Sequence, residues 1–206
     1  MKLTDMSTKN GSQIVKEGYN KIAKDYHKWR ISSGDTKLLK KFVKILPKKS
    51  KVLDAGCGAG VPVARFLTES KLDVTGIDIS KNMLKLAREN VSKARFLKMD
   101  MTKITFKPNS FDGIVSFYAI IHIPREKHKK VIKNFYKVLK PGGLALLCMG
   151  NDDWESIEMY KGTKMFWSQY APEKTLKIIQ NGGFNIIFDR VIKIGGESHY
   201  WILAKK

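Results

Sequence analysis

A chain of 206 residues, 43% hydrophobic and 28% charged, has the length and usage of one globular domain with a sizeable core, and wholesale disorder is excluded. The net charge of +20 invites a nucleic-acid reading, but only six of the 39 basic residues are arginine and the lysines are spread from Lys2 to Lys206. A solvated lysine-biased surface is therefore the plainer explanation, and RNA stays open as a partner. The longest apolar run, Leu144 to Met149, is far short of the ~20 residues a membrane span needs. Cys57 and Cys148 have neither metal-ligand nor disulfide-framework spacing, so no metal is expected, and the polar start predicts no secretory leader and a cytoplasmic setting.

Residues 12–29 carry Val15, Tyr19, Ile22 and Tyr26 at helical spacing. A second helix, capped by Asp35 or Thr36, shows Leu38, Leu39, Phe42, Val43 and Leu46 and stops at Pro47, so 1–46 reads as a helical arm. From Lys51 strands and helices alternate. Strands are predicted at 51–55, 73–77, 94–98, 111–117 and 143–149, with helices after Pro62, after Ser80 and over 125–139. Apolar, non-alternating strands separated by helices predict a parallel sheet covered on both faces. Residues 150–170 break that rhythm and are rich in aromatics. A helix then starts near Pro172 and ends at Asn181-Gly182-Gly183, and strands at 184–192 and 198–204 flank Gly195-Gly196 as a hairpin. The whole is read as a single domain, 1–206. It comprises the arm (1–46), a cofactor-binding core (51–150) and an aromatic acceptor-site segment with terminal helix and hairpin (151–206).

The sharpest feature is Asp54-Ala55-Gly56-Cys57-Gly58-Ala59-Gly60, between a strand and a helix. Glycines there permit unusual backbone angles and close ligand approach. Val61 stands where a dinucleotide pattern wants a small residue, and no G-K-[ST] follows. Asp54 would repel a pyrophosphate and welcome a cation. Asp78, eighteen residues after Gly60, suits both hydroxyls of a ribose, and Asp100 suits an adenine amino group. Three acids at successive strand ends with this loop fit S-adenosylmethionine, which has an ammonium group and a sulfonium but no phosphate.

With these residues the chain resembles the class I S-adenosylmethionine-dependent methyltransferases. VLDAGCGAG, VTGIDIS and FLKMDM are similar to the superfamily's first three motifs, and FDGIVSFYAIIHIP and LKPGGLALL to its later strands. The resemblance covers about 51–150. It implies a doubly wound, mostly parallel seven-stranded α/β sheet ending in an antiparallel hairpin. It also implies S-adenosylmethionine as cofactor, with S-adenosylhomocysteine as product. Ile79 and Met101 would flank the adenine, and Ser116 and Tyr26 would approach the methionine portion. The implied cofactor set is completed by Ala55, Gly56, Cys57, Gly58, Gly60 and Met83. The second-motif acid is often Glu in the family, and Asp78 keeps its charge on a shorter stem.

Methyl transfer from a sulfonium needs mainly alignment of the two reactants. His122 is a candidate base and Tyr118 a candidate pocket wall or participant, both after the fourth strand. An N-P-P-[YFW] motif for base amines is missing; the stretch reads Ser116-Phe117-Tyr118-Ala119. The leading expectation is methyl transfer to a small molecule. Behind it stand a tRNA or rRNA methyltransferase using the basic surface, and a nonenzymatic cofactor- or RNA-binding regulator. The acceptor atom and the oligomeric state are not legible.

Overall fold

The computed structural model describes residues 7–32, 36–194 and 196–206, with side chains outside 7–10 and 29–32. Among the described residues there are nine strands: β1 (Lys51–Ala55), β2 (Asp73–Asp78), β3 (Arg95–Lys98), β4 (Phe111–Ser116), β5 (Leu139–Met149), β6 (Trp154–Tyr160), β7 (Thr163–Gln169), β8 (Asn185–Ile194) and β9 (Glu197–Lys205). Six α-helices among the described residues accompany them: α1 (Ser7–Ser32), α2 (Lys37–Lys44), α3 (Val63–Glu69), α4 (Lys81–Asn90), α5 (His128–Val138) and α6 (Pro172–Asn181). Seven strands form one sheet, ordered β3-β2-β1-β4-β5-β9-β8, parallel up to β5 and antiparallel from β5 through β9 to β8. The expected doubly wound sheet with a terminal antiparallel hairpin is what the chain forms.

Alternate strand residues feed two cores. Val52, Val74, Val115 and Trp201 pack with α2, α3 and α4 on one face. Leu53, Ile77, Ile114 and Ile202 pack with α5 and α6 on the other. Burial on both faces is why these strands read as unbroken apolar runs.

Two expectations are corrected. First, α2 is part of the core layer rather than of an arm. Leu39 and Phe42 are fully buried, and a Cβ on Gly113 of β4 would stand 2.8 Å from the Phe42 ring. The side chain of Thr36 makes no capping hydrogen bond, and Asp35 lies outside the described residues. Second, 150–170 holds a regular element, the antiparallel ribbon β6–β7. Its turn runs through Lys161 and Gly162 at φ 48° and 77°, the paired left-handed conformations of a tight hairpin. Asparagine usually marks the first of those positions, and the lysine there hides the signal. Between β3 and β4 the structure has only a 3-10 turn (Met101–Lys103), in line with the absence of a helical pattern.

Candidate active site

The sheet order reverses between β1 and β4, and a crevice lies outside the carboxyl ends of β1 to β4, the usual place for a ligand in such sheets. The loop after β1 is folded onto β2 because the Gly56 and Cys57 amides both donate to the Ile77 carbonyl, at 2.8 and 3.0 Å. Gly56 has φ +82°, and a Cβ there would overlap that of Ala119. Gly58 has φ +51° and open space where a side chain would be, on the crevice wall. Gly60, by contrast, is a packing glycine. A Cβ would sit 3.3 Å from Phe96 and Val91, away from the crevice.

Four other expected residues, Asp54, Ala55, Cys57 and Ser116, are not brought to the crevice wall. Ser116 is fully buried because its hydroxyl donates to the Ala55 carbonyl at 2.8 Å, which holds both inside the sheet. Phe117, Tyr118 and Ala119 line the crevice in their place. Tyr118 reaches it with φ +54°, a strained conformation for a tyrosine and one that clusters at functional sites. Cys57 is buried beside Gly76 and lines the edge of the loop.

Asp78 accepts from the Gly58 amide at 3.0 Å through one oxygen and from the Ser80 amide at 2.8 Å through the other. It therefore braces the glycine loop against β2 while lining the crevice with Ile79, Met83, Asp100 and Met101. Burial raises its pKa, partly offset by those amides. Asp100 caps the 3-10 turn through the Thr102 amide at 2.8 Å. Ser80, not an aspartate, caps α4, accepting from the Met83 amide at 3.1 Å.

Asp54 is buried, and burial, reinforced by the nearby Asp78, pushes its pKa up to about 8. One of its oxygens, Oδ2, and the Nδ1 of His27 have no hydrogen-bond partner among the described residues, and both residues line one small cavity of about 40 Å3 beside the glycine loop. Buried polar atoms are rarely left unpaired. An acceptor oxygen and an imidazole nitrogen on the lining of one space suit the ammonium and carboxylate of an amino-acid group, so the residues present fit the methionine end of S-adenosylmethionine. His27 is an addition that the sequence offered no pattern to find.

α1 roofs the crevice. Its Ser12, Val15, Tyr19 and Tyr26 line the wall, and the enclosed space is about 80 Å3. Val15 and Ile22 pack on Met165 and Phe166 of β7. The approach is close because Gly11 and Gly18, two helical turns apart, face the hairpin; a Cβ would stand 2.7 Å from the Phe166 ring or 2.9 Å from the Lys164 carbonyl. The seven-residue spacing of Gly11 and Gly18 is the trace that this close approach leaves in the sequence. Asn20 latches α1 to the start of α4, accepting from the Ser80 hydroxyl at 2.8 Å while its carbonyl accepts from the Asn82 side chain at 2.8 Å.

His122 ties roof and hairpin to the sheet. Its Nδ1 lies 2.7 Å from the Phe166 carbonyl and its Nε2 2.9 Å from the Tyr19 hydroxyl. A carbonyl only accepts, so Nδ1 carries the proton and Nε2 accepts from the phenol. Burial lowers the His122 pKa to about 4, and burial raises that of Tyr19 well above the usual value. The expected base thus holds its lone pair on Tyr19 and is neutral near pH 7.

Beyond this wall lies a second cavity of about 560 Å3, between the β6–β7 ribbon and the β8–β9 turn. Tyr19, Tyr26, Tyr118 and His122 line both spaces and form the partition between them. Trp201 is core, whereas His199 on the same strand face lines this cavity. No group of three or more acids, histidines and cysteines suited to a metal occurs among the described residues, and no helix there is long and apolar enough to cross a membrane.

A reversed seven-stranded sheet, a glycine loop after β1 and acids at the next strand ends define the class I S-adenosylmethionine-dependent methyltransferases, and the chain belongs to that family. Residues 52–143 match the methyltransferase domain family. The chain is 33% identical over 182 residues to the phosphoethanolamine N-methyltransferase of Plasmodium falciparum, covering 82% of this chain and 68% of that one. It is 37% identical over 123 residues to phosphoethanolamine N-methyltransferase 3 of Arabidopsis thaliana, covering 57% of this chain but only 25% of that protein. In fold it is similar to the Burkholderia thailandensis 1,6-didemethyltoxoflavin-N1-methyltransferase, solved with its substrate and S-adenosylhomocysteine. There the TM-score is 0.76 at 15% identity, over 100% of this chain and 93% of that one.

Proposed function

We propose that this chain transfers a methyl group from S-adenosylmethionine to a small-molecule acceptor that enters through the 560 Å3 cavity. The observation that carries this reading is the shared partition: Tyr19, Tyr26, Tyr118 and His122 face both spaces, so two ligands would meet across them. The cofactor supplies an electrophilic methyl on a good leaving group. Asp78 takes the ribose hydroxyls with the oxygen lone pairs its two amides leave over, and Asp100 takes the adenine amine. Ile79, Met83 and Met101 supply the apolar walls of the adenine site, while Gly58 leaves room for the backbone approach. Asp54 and His27 hold the amino-acid end. Tyr118 walls the acceptor side. His122 is a positioning residue: it orients the Tyr19 phenol at the partition and takes no proton itself. α1 with the β6–β7 ribbon acts as a lid, since the roofed crevice is far below the ~300 Å3 that ligand sites usually offer.

The test uses calorimetry and labelled methyl groups. S-adenosylmethionine and its product should bind and NAD should not. Label from the cofactor should then appear in the small-molecule fraction of a cell extract. Tight NAD binding without adenosylmethionine binding overturns the cofactor assignment. Binding with no label transferred to any fraction points to a nonenzymatic regulator, and label in RNA makes this a nucleic-acid enzyme.

A further inference from the structure

The second cavity carries a charge opposite to that of the molecule. The chain has 39 basic and 19 acidic residues, yet the cavity is lined by three carboxylates, Asp152, Glu158 and Glu197, and by no lysine or arginine among the described residues. Neighbouring acids show what a neutralised carboxylate looks like here: Asp153 and Glu155 both pair with Arg125, at 3.6 and 3.8 Å, outside the cavity. Asp152 instead accepts from the Gln169 amide and Glu158 from the Ser156 hydroxyl at 3.0 Å, and none of the three cavity acids is ion-paired among the described residues.

Three exposed acids would by themselves be only a solvated rim. The walls make them informative. Trp154 and Trp167 stack with centroids 5.9 Å apart and planes 26° apart, Tyr160 meets Trp167 edge-on at 5.5 Å, and His122 lies 5.5 Å from the same indole. Tyr118 closes the side toward the cofactor crevice. Aromatic faces attract cations most strongly where water is displaced, and a cleft with apolar walls focuses the field of its carboxylates. Conversely, a phosphate or carboxylate on the acceptor would meet three like charges on a lining without lysine or arginine among the described residues, and a phosphodiester backbone more so.

Resting on the methyl-transfer reading above, we infer that the acceptor is a small molecule bearing a cationic amine on an apolar body, recognised by the aromatic walls and the Asp152, Glu158 and Glu197 carboxylates. Phosphorylated amines are excluded as preferred acceptors on the same ground.

The experiment reads binding, not turnover. The protein is saturated with S-adenosylhomocysteine and titrated calorimetrically with benzyltrimethylammonium, with its uncharged carbon isostere neopentylbenzene, and with benzyl phosphate. The cation should bind at least tenfold more tightly than the isostere, and benzyl phosphate should not compete with it. Asp152→Asn combined with Glu158→Gln should weaken the cation about tenfold while leaving S-adenosylhomocysteine affinity unchanged. Glu197→Gln, on the exposed end of β9, gives a second variant should the pair fail to fold; it should weaken the cation several-fold. Equal affinity for cation and isostere, or displacement of the cation by benzyl phosphate or by an RNA transcript, overturns the inference and leaves methyl transfer standing. Failure of S-adenosylhomocysteine to bind sinks the methyl-transfer reading itself.

Discussion

The phenol of Tyr19 and the Nε2 of His122 meet at 2.9 Å across 103 residues of chain. This contact joins the helix that roofs the crevice to the turn after β4, and through the 2.7 Å contact of Nδ1 with the Phe166 carbonyl it joins both to the ribbon. One imidazole thereby connects three parts of the site.

That connection is measurable. In a double-mutant cycle of Tyr19→Phe and His122→Gln, followed by urea denaturation, a coupling energy of about 0.5–1.5 kcal/mol is expected. A pKa held near 4 also means that His122 does not titrate between pH 5.5 and 8. The rate profile over that range should keep its shape in His122→Gln. A limb near pH 6.5 that vanishes in the variant would restore the histidine as a general base.

Asp54 makes stability and cofactor affinity depend on pH in opposite senses. The folded protein retains its proton up to about pH 8, whereas the unfolded chain releases it near 3.8. The folded state therefore binds the extra proton between those values, so this contribution falls as pH rises from about 4 to about 8 and levels off above. Asp54→Asn should melt about 3 °C or more above the parent at pH 8 without cofactor. Calorimetry should show S-adenosylmethionine affinity of the parent rising by up to about tenfold per pH unit from 6 to 8, as the carboxylate becomes available to the ammonium. The variant should bind more weakly and lose that slope.

Gly56 and Gly58 should fail in different ways. Gly56→Ala drives a Cβ into Ala119 at a positive φ, so thermal denaturation should show a destabilised fold. Gly58→Val enters open space and incurs chiefly the left-handed backbone cost of about 1–2 kcal/mol. Its circular dichroism should stay native while cofactor binding is lost, because the side chain fills the crevice.

The roof should respond to cofactor. Hydrogen exchange in 14–29 and 163–169 should slow when S-adenosylmethionine binds. Gly18→Val, whose side chain meets the Lys164 carbonyl, should lift α1 from the ribbon and weaken binding while the sheet remains folded. Removing residues 1–30 is a harsher test, since it uncovers Met165 and Phe166, both fully buried under α1. Exchange indifferent to cofactor and full affinity in Gly18→Val would show that α1 is a fixed wall.

Much of this protein is local and therefore readable along the chain. The strands buried on both faces appear as Val52-Leu53 and Ile114-Val115, the α4 cap as Ser80, the β8–β9 hairpin as Gly195-Gly196, of which Gly195 lies outside the described residues, and the loop after β1 as Asp54 to Gly60, because each depends on backbone geometry and period within a few residues. The tertiary structure decided what depends on distant partners. It turned Ser116 inward to Ala55 and made Gly60 a packing contact. It placed α2 in the core through Phe42 and Gly113, and left Asp54 Oδ2 and His27 Nδ1 without a partner among the described residues, on one small space. It also occupied the His122 lone pair with a phenol 103 residues away. Nor does composition reveal the sign of the charge on the second cavity. Charge sums over the whole chain, whereas recognition depends on which few carboxylates folding gathers beside aromatic faces and away from the lysines.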